Sequence, residues 1–479
     1  MADPNQSRDA TTSAQGDSAG GFRTTPVSIE GMPPSIPYII GNEAAERFSY
    51  YGMRTILYIF MTEHLRNRLG EVAPMTTGEG TEAYHWFVAG VYFTPLLGGI
   101  LADAFFGKYR TIIWLSLVYC GGHLALALDD TRLGLFIGLS LITLGAGGIK
   151  PCVSSIVGDQ FGKRNEHLLS RVFGWFYLSI NFGSAISTIL TPELLRRYGP
   201  NVAFGVPGIF MALATVVFWL GRYKYVHVPP RGPSFLKEAI VPGEGRSALL
   251  RLSLIYIFVA MFWSLYDQSG SVWVEQAKHM NRAFSLEWLH TMMPETIPAS
   301  YEVDPAQVQV INPVLILLLI PLFSFVIYPK AEKYVTLTPL RKLSAGFFVT
   351  VVAFAMAALI EAQLEKGVDL HVAWQALPFL VLTTAEVMVS VTCLEFSYTQ
   401  APPSMKSFVM SLYLLSVSAG NGLTAIVNWA LQDEQGNRRI TGADYYWLFT
   451  CAMLVAALVF IVVALKYRGK DYVQAAEEA

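Results

Sequence analysis

The chain has 479 residues, 53% of them hydrophobic and only 15% charged, with a formal net charge of −2 and a mean hydropathy of +0.42. That composition excludes an ordinary soluble enzyme and describes an all-α polytopic membrane protein. Basic residues are thinly spread, so a nucleic-acid surface is excluded too.

Residues 1–34 are rich in Ser, Thr, Gly, Asp and Pro and lack the apolar core of a secretory signal; they read as a disordered cytoplasmic tail. Apolar runs long enough for a ~30 Å hydrocarbon core then begin near residues 36, 82, 111, 133, 166 and 202. This predicts six helices over 35–221. Residues 222–248 carry Pro229, Pro230, Pro233 and Pro242 with several bases and read as a cytoplasmic linker. Six more runs begin near 249, 307, 343, 372, 406 and 444, a second six-helix bundle over 249–467, followed by a cytoplasmic tail over 468–479. Within it, 276–305 reads as an extracytoplasmic loop in which Trp288, Leu289 and Met292 mark a short interfacial helix. Lys and Arg favour the even-numbered connections, which puts both termini in the cytoplasm.

Of 34 basic residues, Arg47, Arg54 and Lys150 fall inside spans, matched by Glu43, Glu46, Asp267 and Glu386. At roughly 3 kcal/mol each, seven unpaired charges cost about 20 kcal/mol, more than a typical stability margin, so they must pair or be hydrated. A static ion-pair network is the plainer reading. An aqueous substrate cavity explains them better, because apolar packing serves structure as well as buried charge does. Residues 43, 47, 50 and 54 line one face of the first helix. Arg and Lys suit an anionic group, and Glu386 suits a cation at the other end, which fits a zwitterion. Glu43, Glu46 and Asp267 are placed to load and unload protons as partners come and go.

His85 lies seven residues before Tyr92 and reads equally as a satisfied polar residue or a proton carrier. Tyr50, Tyr51, Tyr92, Trp263 and Tyr413, with Ser416 beyond it, are candidate pocket walls. Asn181 and Asn312 are mid-span amides that need partners. Asp103, in the segment from Gly98 to Arg110, is a candidate latch to a base on a neighbouring helix. Cys120, Cys152, Cys393 and Cys451 all fall in apolar segments, which argues against a disulfide framework or metal site.

Gly98 to Arg110 resembles the cytoplasmic signature of the major facilitator superfamily. Glu43-x-x-Glu46-Arg47-Phe48-x-Tyr50-Tyr51-Gly52 resembles the first-helix motif of proton-dependent oligopeptide transporters. The likeness continues through Gly147 to Val153, Gly158 to Phe161, Phe176 to Ser184 and Glu395 to Pro402, and its wording is animal-like. It implies twelve helices in two six-helix bundles and a proton-coupled symporter that imports di- and tripeptides by alternating access. No cofactor is expected beyond protons as the coupling ion. Glu43, Glu46 and Arg47 match the family's coupling motif, and Arg54 and Lys150 match the bases that hold a peptide carboxylate. Asn181, Asn312 and Glu386 match residues near the peptide backbone and amino end; Asp267 matches an acidic gate residue and His85 an animal-type histidine. Two departures stand out: the segment from Gly221 to Ala248 is too short for the two extra helices of many bacterial members, and Tyr413 stands where many relatives have Trp. The resemblance implies a monomer in the plasma or inner membrane, with no nucleic-acid partner. Two other readings stay open, a relative carrying nitrate or another anion and a non-transporting nutrient receptor. An enzyme is not expected, for no nucleophile and base stand at suggestive spacing.

Overall fold

The computed structural model describes residues 18–19, 22–230, 232, 244–293, 299–400 and 406–467. Most of the expected tail (1–17 and 20–21), much of the linker (231 and 233–243), part of the long loop (294–298) and the C-terminal tail (468–479) lie outside the described residues.

The first six long helices are α1 Ile36–Ile59, α2 Thr77–Phe106, α3 Lys108–Leu128, α4 Arg132–Asp159, α5 Arg171–Tyr198 and α6 Pro200–Leu220. The second six are α7 Arg246–Lys278, α8 Pro305–Ala331, α9 Pro339–Leu364, α10 Val372–Ser397, α11 Val409–Ala430 and α12 Gly442–Lys466. Eleven are long and apolar enough to cross a bilayer. The twelfth, α1, differs only by carrying Glu43, Glu46, Arg47 and Arg54. The face that holds the start of α1 and the end of α12 is called the near face, the opposite one the far face.

Each set of six packs around its own apolar core, and Tyr92 touches both cores. The neighbours repeat: α1 lies on α5 and α6 as α7 lies on α11 and α12, and α3 on α4 and α6 as α9 on α10 and α12. Such a repeat is what a pseudo-two-fold along the membrane normal produces. The bundles meet where α2 runs along α11 and α5 along α8. Close approach depends on glycine. A Cβ on Gly98 would strike the Gly147 carbonyl, and one on Gly147 would meet Thr94 Oγ1 at 2.5 Å, so α2 and α4 touch backbone to backbone.

Part of the expected disordered tail is packed instead. Phe22 sits among Tyr223, His227 and Tyr109 with ring centroids 5.6, 4.4 and 6.5 Å away, and the His227 amide donates to the Arg23 carbonyl at 2.7 Å. The burial of one aromatic ring outweighs the polar composition of its neighbours. The linker starts pinned too, its Val226 amide donating to Gln160 Oε1 at 3.1 Å. In the long loop the expected helix is present as Glu287–Met292, with Trp288 and Met292 exposed. It is flanked by strands Ala283–Ser285 and Ser300–Glu302, which pair antiparallel. Asp103, the candidate latch of one gate state, has no ion pair among the described residues in this conformation, and the bond between α3 and α4 runs from Lys108 to Asp159 at 2.7 Å.

Asp304 caps the start of α8, accepting from the Ala306 amide at 2.9 Å, and burial raises its carboxyl pKa above the usual value. A carboxyl raised in the folded state stabilises least once pH exceeds that folded value. Asp304→Asn keeps the cap without the charge, so it is expected to raise the melting temperature at pH 7 and leave it unchanged at pH 3. Melting scans at the two pH values check this.

Candidate functional site

Among the described residues, the charges of α1 and Lys150 fall into three polar clusters inside the helical bundles. The first belongs to α1 alone. Glu43 and Glu46 have no exposed surface, and both face one guanidinium: Arg47 Nε stands 2.6 Å from Glu43 Oε1 and 3.0 Å from Glu46 Oε2. The helical spacing of residues 43 and 47 makes the first pair. Gly183 makes room for it, since a Cβ there would meet the Ala44 carbonyl at 2.6 Å and Arg47 Cβ at 3.3 Å. Two carboxylates against one guanidinium leave an odd negative charge, which one proton cancels without unpairing Arg47. Glu43 Oε2 and both oxygens of Glu46 have no hydrogen-bond partner among the described residues.

The second cluster is cationic. Lys150 Nζ lies 4.1 Å from the ring centroid of Tyr50 and 4.3 Å from that of Tyr92, and it makes no hydrogen bond among the described residues. Two aromatic faces hold the ammonium without neutralising it, so it remains open to an anion. Tyr51 stacks edge-on against Tyr50 at 5.3 Å.

The third cluster joins the two bundles towards the far face. Arg54 pairs with Asp267 and its Nε donates to Tyr84 Oη at 2.8 Å. Asn421 Nδ2 donates to Asp267 Oδ2 at 2.6 Å, while its Oδ1 lies 2.7 Å from His85 Nδ1. An amide oxygen only accepts, so His85 Nδ1 carries the hydrogen and Nε2 faces the Ser271 hydroxyl at 3.1 Å. Further out, Lys278 Nζ reaches Glu63 at 2.7 Å, Gln432 donates to Glu82 at 3.0 Å, and Arg438 bonds to Thr81. Beneath these bonds lies a cavity of about 60 Å³ lined by Tyr51, Arg54, Thr188, Tyr266, Gln309 and Asn312. Small-molecule sites run from about 300 Å³ upward, so a ligand larger than water enters only when the bundles part.

Glu386 Oε2 accepts from Asn312 Nδ2 at 2.7 Å, which joins α10 to α8 within the second bundle. Trp263 packs edge-on against Tyr266, a wall of that small cavity, at 5.1 Å, and the remaining candidates make contacts of their own. Asn181 donates to the Tyr177 carbonyl of its own helix at 3.0 Å. Trp263 is buried, its Nε1 without a partner among the described residues. Tyr413 is buried edge-on against Tyr256. Ser416 donates to the Tyr413 carbonyl at 2.6 Å and lines an outer groove between α7 and α11, away from the clusters. The sequence reading missed Tyr84, Ser271 and Asn421. The rule that mid-span amides need partners, applied at 181 and 312, picks out 421 as well.

Asp267→Asn is expected to open the far face. Breaking a buried pair costs about 3–5 kcal/mol, so labelling of a cysteine placed at Gln309 by a membrane-impermeant maleimide should rise at least about tenfold.

A family model described as "PTR2: POT family" matches residues 109–242 and 242–448. "Solute carrier family 15 member 2" of Homo sapiens is 36% identical over 441 residues, covering 77% of this chain and 57% of its own length. "Peptide transporter 3" of Caenorhabditis elegans is 33% identical over 390 residues, covering 71% and 52%. The chain thus spans little more than half the length of these relatives. Among solved structures, an auto-inhibited POT family peptide transporter superposes with a TM-score of 0.81 at 37% identity, covering 92% of this chain and 98% of that one. The POT family transporter PepTSo gives 0.81 at 36%, covering 91% and 99%.

Proposed function

Because the chain belongs to the POT family and has the major facilitator fold, we propose that it is a symporter that imports di- and tripeptides with protons by alternating access. The carrying observation is Lys150, a cation held between two tyrosine rings with no hydrogen bond to a carboxylate among the described residues. In the second bundle, Glu386 and Asn312 offer a carboxylate and an amide. A zwitterion satisfies both ends, its carboxylate at Lys150 and its ammonium at Glu386.

Coupling follows from the charges. Arg54 is occupied by Asp267; a proton on Asp267, or a peptide carboxylate near Arg54, competes for that bond and releases the far face. The odd charge of Glu43, Glu46 and Arg47 gives the proton a second station nearer the near face. With the termini in the cytoplasm of a plasma or inner membrane, the far face opens outward and uptake runs inward. The chain works as a monomer with protons as its coupling ion.

The test is uptake of dialanine into proteoliposomes under an imposed pH gradient, with and without a membrane potential. Accumulation that rises with both supports symport, because a neutral zwitterion moved with a proton gains about 2.3 kcal/mol per 100 mV. Binding without accumulation would make the chain a receptor. Competition by nitrate and not by dialanine would make it an anion carrier.

A further inference from the structure

On the outer surface, α7 and α11 are clamped at one point and splayed below it. At the clamp a Cβ on Gly420 would strike the Ala260 carbonyl and meet Ser264 N at 2.8 Å, and Ser264 Oγ lies 2.6 Å from Thr424 Oγ1. Towards the near face the helices separate and leave a groove of about 480 Å³, with Ser253, Ile257, Leu412, Ser416 and Ala419 among its walls. The polar groups on its floor are already satisfied. Tyr256 Oη donates to Ser397 Oγ at 2.7 Å and Ser416 donates to the Tyr413 carbonyl. Apart from the Ser253 hydroxyl at the rim, a peptide finds no free polar partner here among the described residues, and hydrocarbon fits the walls.

Position in the bilayer identifies the hydrocarbon. From Ser253 to Ala260 the groove runs about 10 Å along α7 at 1.5 Å per residue, within the ~15 Å of one leaflet. Arg246 lies seven residues before Ser253 and eleven before Ile257, on the same helix face and about 10 Å nearer the membrane surface. It is exposed, as are Leu250, Leu254 and Ile257 along that stripe. A basic residue above an apolar groove matches a phosphate above an acyl chain.

We propose that this groove is a phospholipid site: one acyl chain of the near-face leaflet lies between α7 and α11, and its anionic headgroup pairs with Arg246. The site is separate from the three polar clusters and stands whether or not the transport reading does. Apolar contact with the protein gains little over contact with other lipid tails, so headgroup selectivity rests on Arg246. One basic residue at a charged bilayer surface supplies about a fivefold preference.

Native mass spectrometry of the full chain in detergent, titrated with phosphatidylglycerol or phosphatidylcholine, tests this. The expected first binding step is about fivefold tighter for phosphatidylglycerol. Ala419→Phe, which fills the groove from an exposed position, removes that step; Ile257→Trp serves if the first variant does not fold. Arg246→Gln keeps the step and loses the preference. Equal affinity for the two lipids in the unaltered chain, or an unchanged first step in the filled variants, overturns the proposal. So does a dimer that Ala419→Phe dissociates, because the groove would then hold a second copy.

Discussion

Glu46→Gln is expected to reduce proton-driven accumulation of dialanine to equilibration. Under a one-unit pH gradient and 100 mV, one proton supplies about 3.7 kcal/mol, enough to sustain roughly a 500-fold concentration ratio. Without coupling the ratio is about one. Glu46 is the carboxylate to change because Glu43 makes the shorter, well-aligned bond to Arg47 at 2.6 Å, whereas Glu46 stands at 3.0 Å with both oxygens otherwise unpartnered among the described residues. Glutamine keeps the volume and leaves the Glu43–Arg47 pair intact. The triad is then held in the charge state that protonation produces. Exchange of labelled for unlabelled dialanine moves no net proton, so it should stay within about twofold of the unaltered chain. Loss of exchange as well as accumulation would mean a damaged bundle, and retained accumulation would remove Glu46 from the coupling path.

Lys150→Gln is expected to weaken dialanine binding by roughly 10- to 150-fold, the range that hydrogen bonds to a charged group contribute, about 1.5–3 kcal/mol. The ammonium rests against two rings with no hydrogen bond among the described residues, so its removal breaks no hydrogen-bonded ion pair and the fold should melt no earlier. The informative control is an amidated dialanine, which lacks the carboxylate. Its affinity should be the same for both proteins. If the amide loses as much affinity as the free acid, Lys150 acts on the cavity's shape and not on the carboxylate. Calorimetry on the four combinations separates the two cases.

Local features of the site were readable from sequence. Each long helix starts within a few residues of the run that announces it, because a bilayer demands apolar length and little else. The Glu43–Arg47 contact follows from a four-residue spacing. Arg54 and Asp267 were both marked as buried charges, yet their pairing was not: they stand 213 positions apart, on helices whose contact only the packing of two bundles decides. Asn421 and Tyr84 were overlooked because an amide or phenol in an apolar run costs less than a charge and draws less notice. The strands around Glu287–Met292 carry no alternation that distinguishes them from loop. Phe22 was hidden in a polar tail, where its composition described the neighbours and not the ring.

The four charges that equip α1 also make it the helix least able to enter a membrane by itself. On insertion scales they cost about 10–14 kcal/mol together, while α5 and α6, which pack on it, are long and apolar enough to cross a membrane. α1 is therefore expected to settle after the α5 and α6 helices that pack on it. The order in which these helices become stable in a membrane is then expected to differ from their order in the sequence.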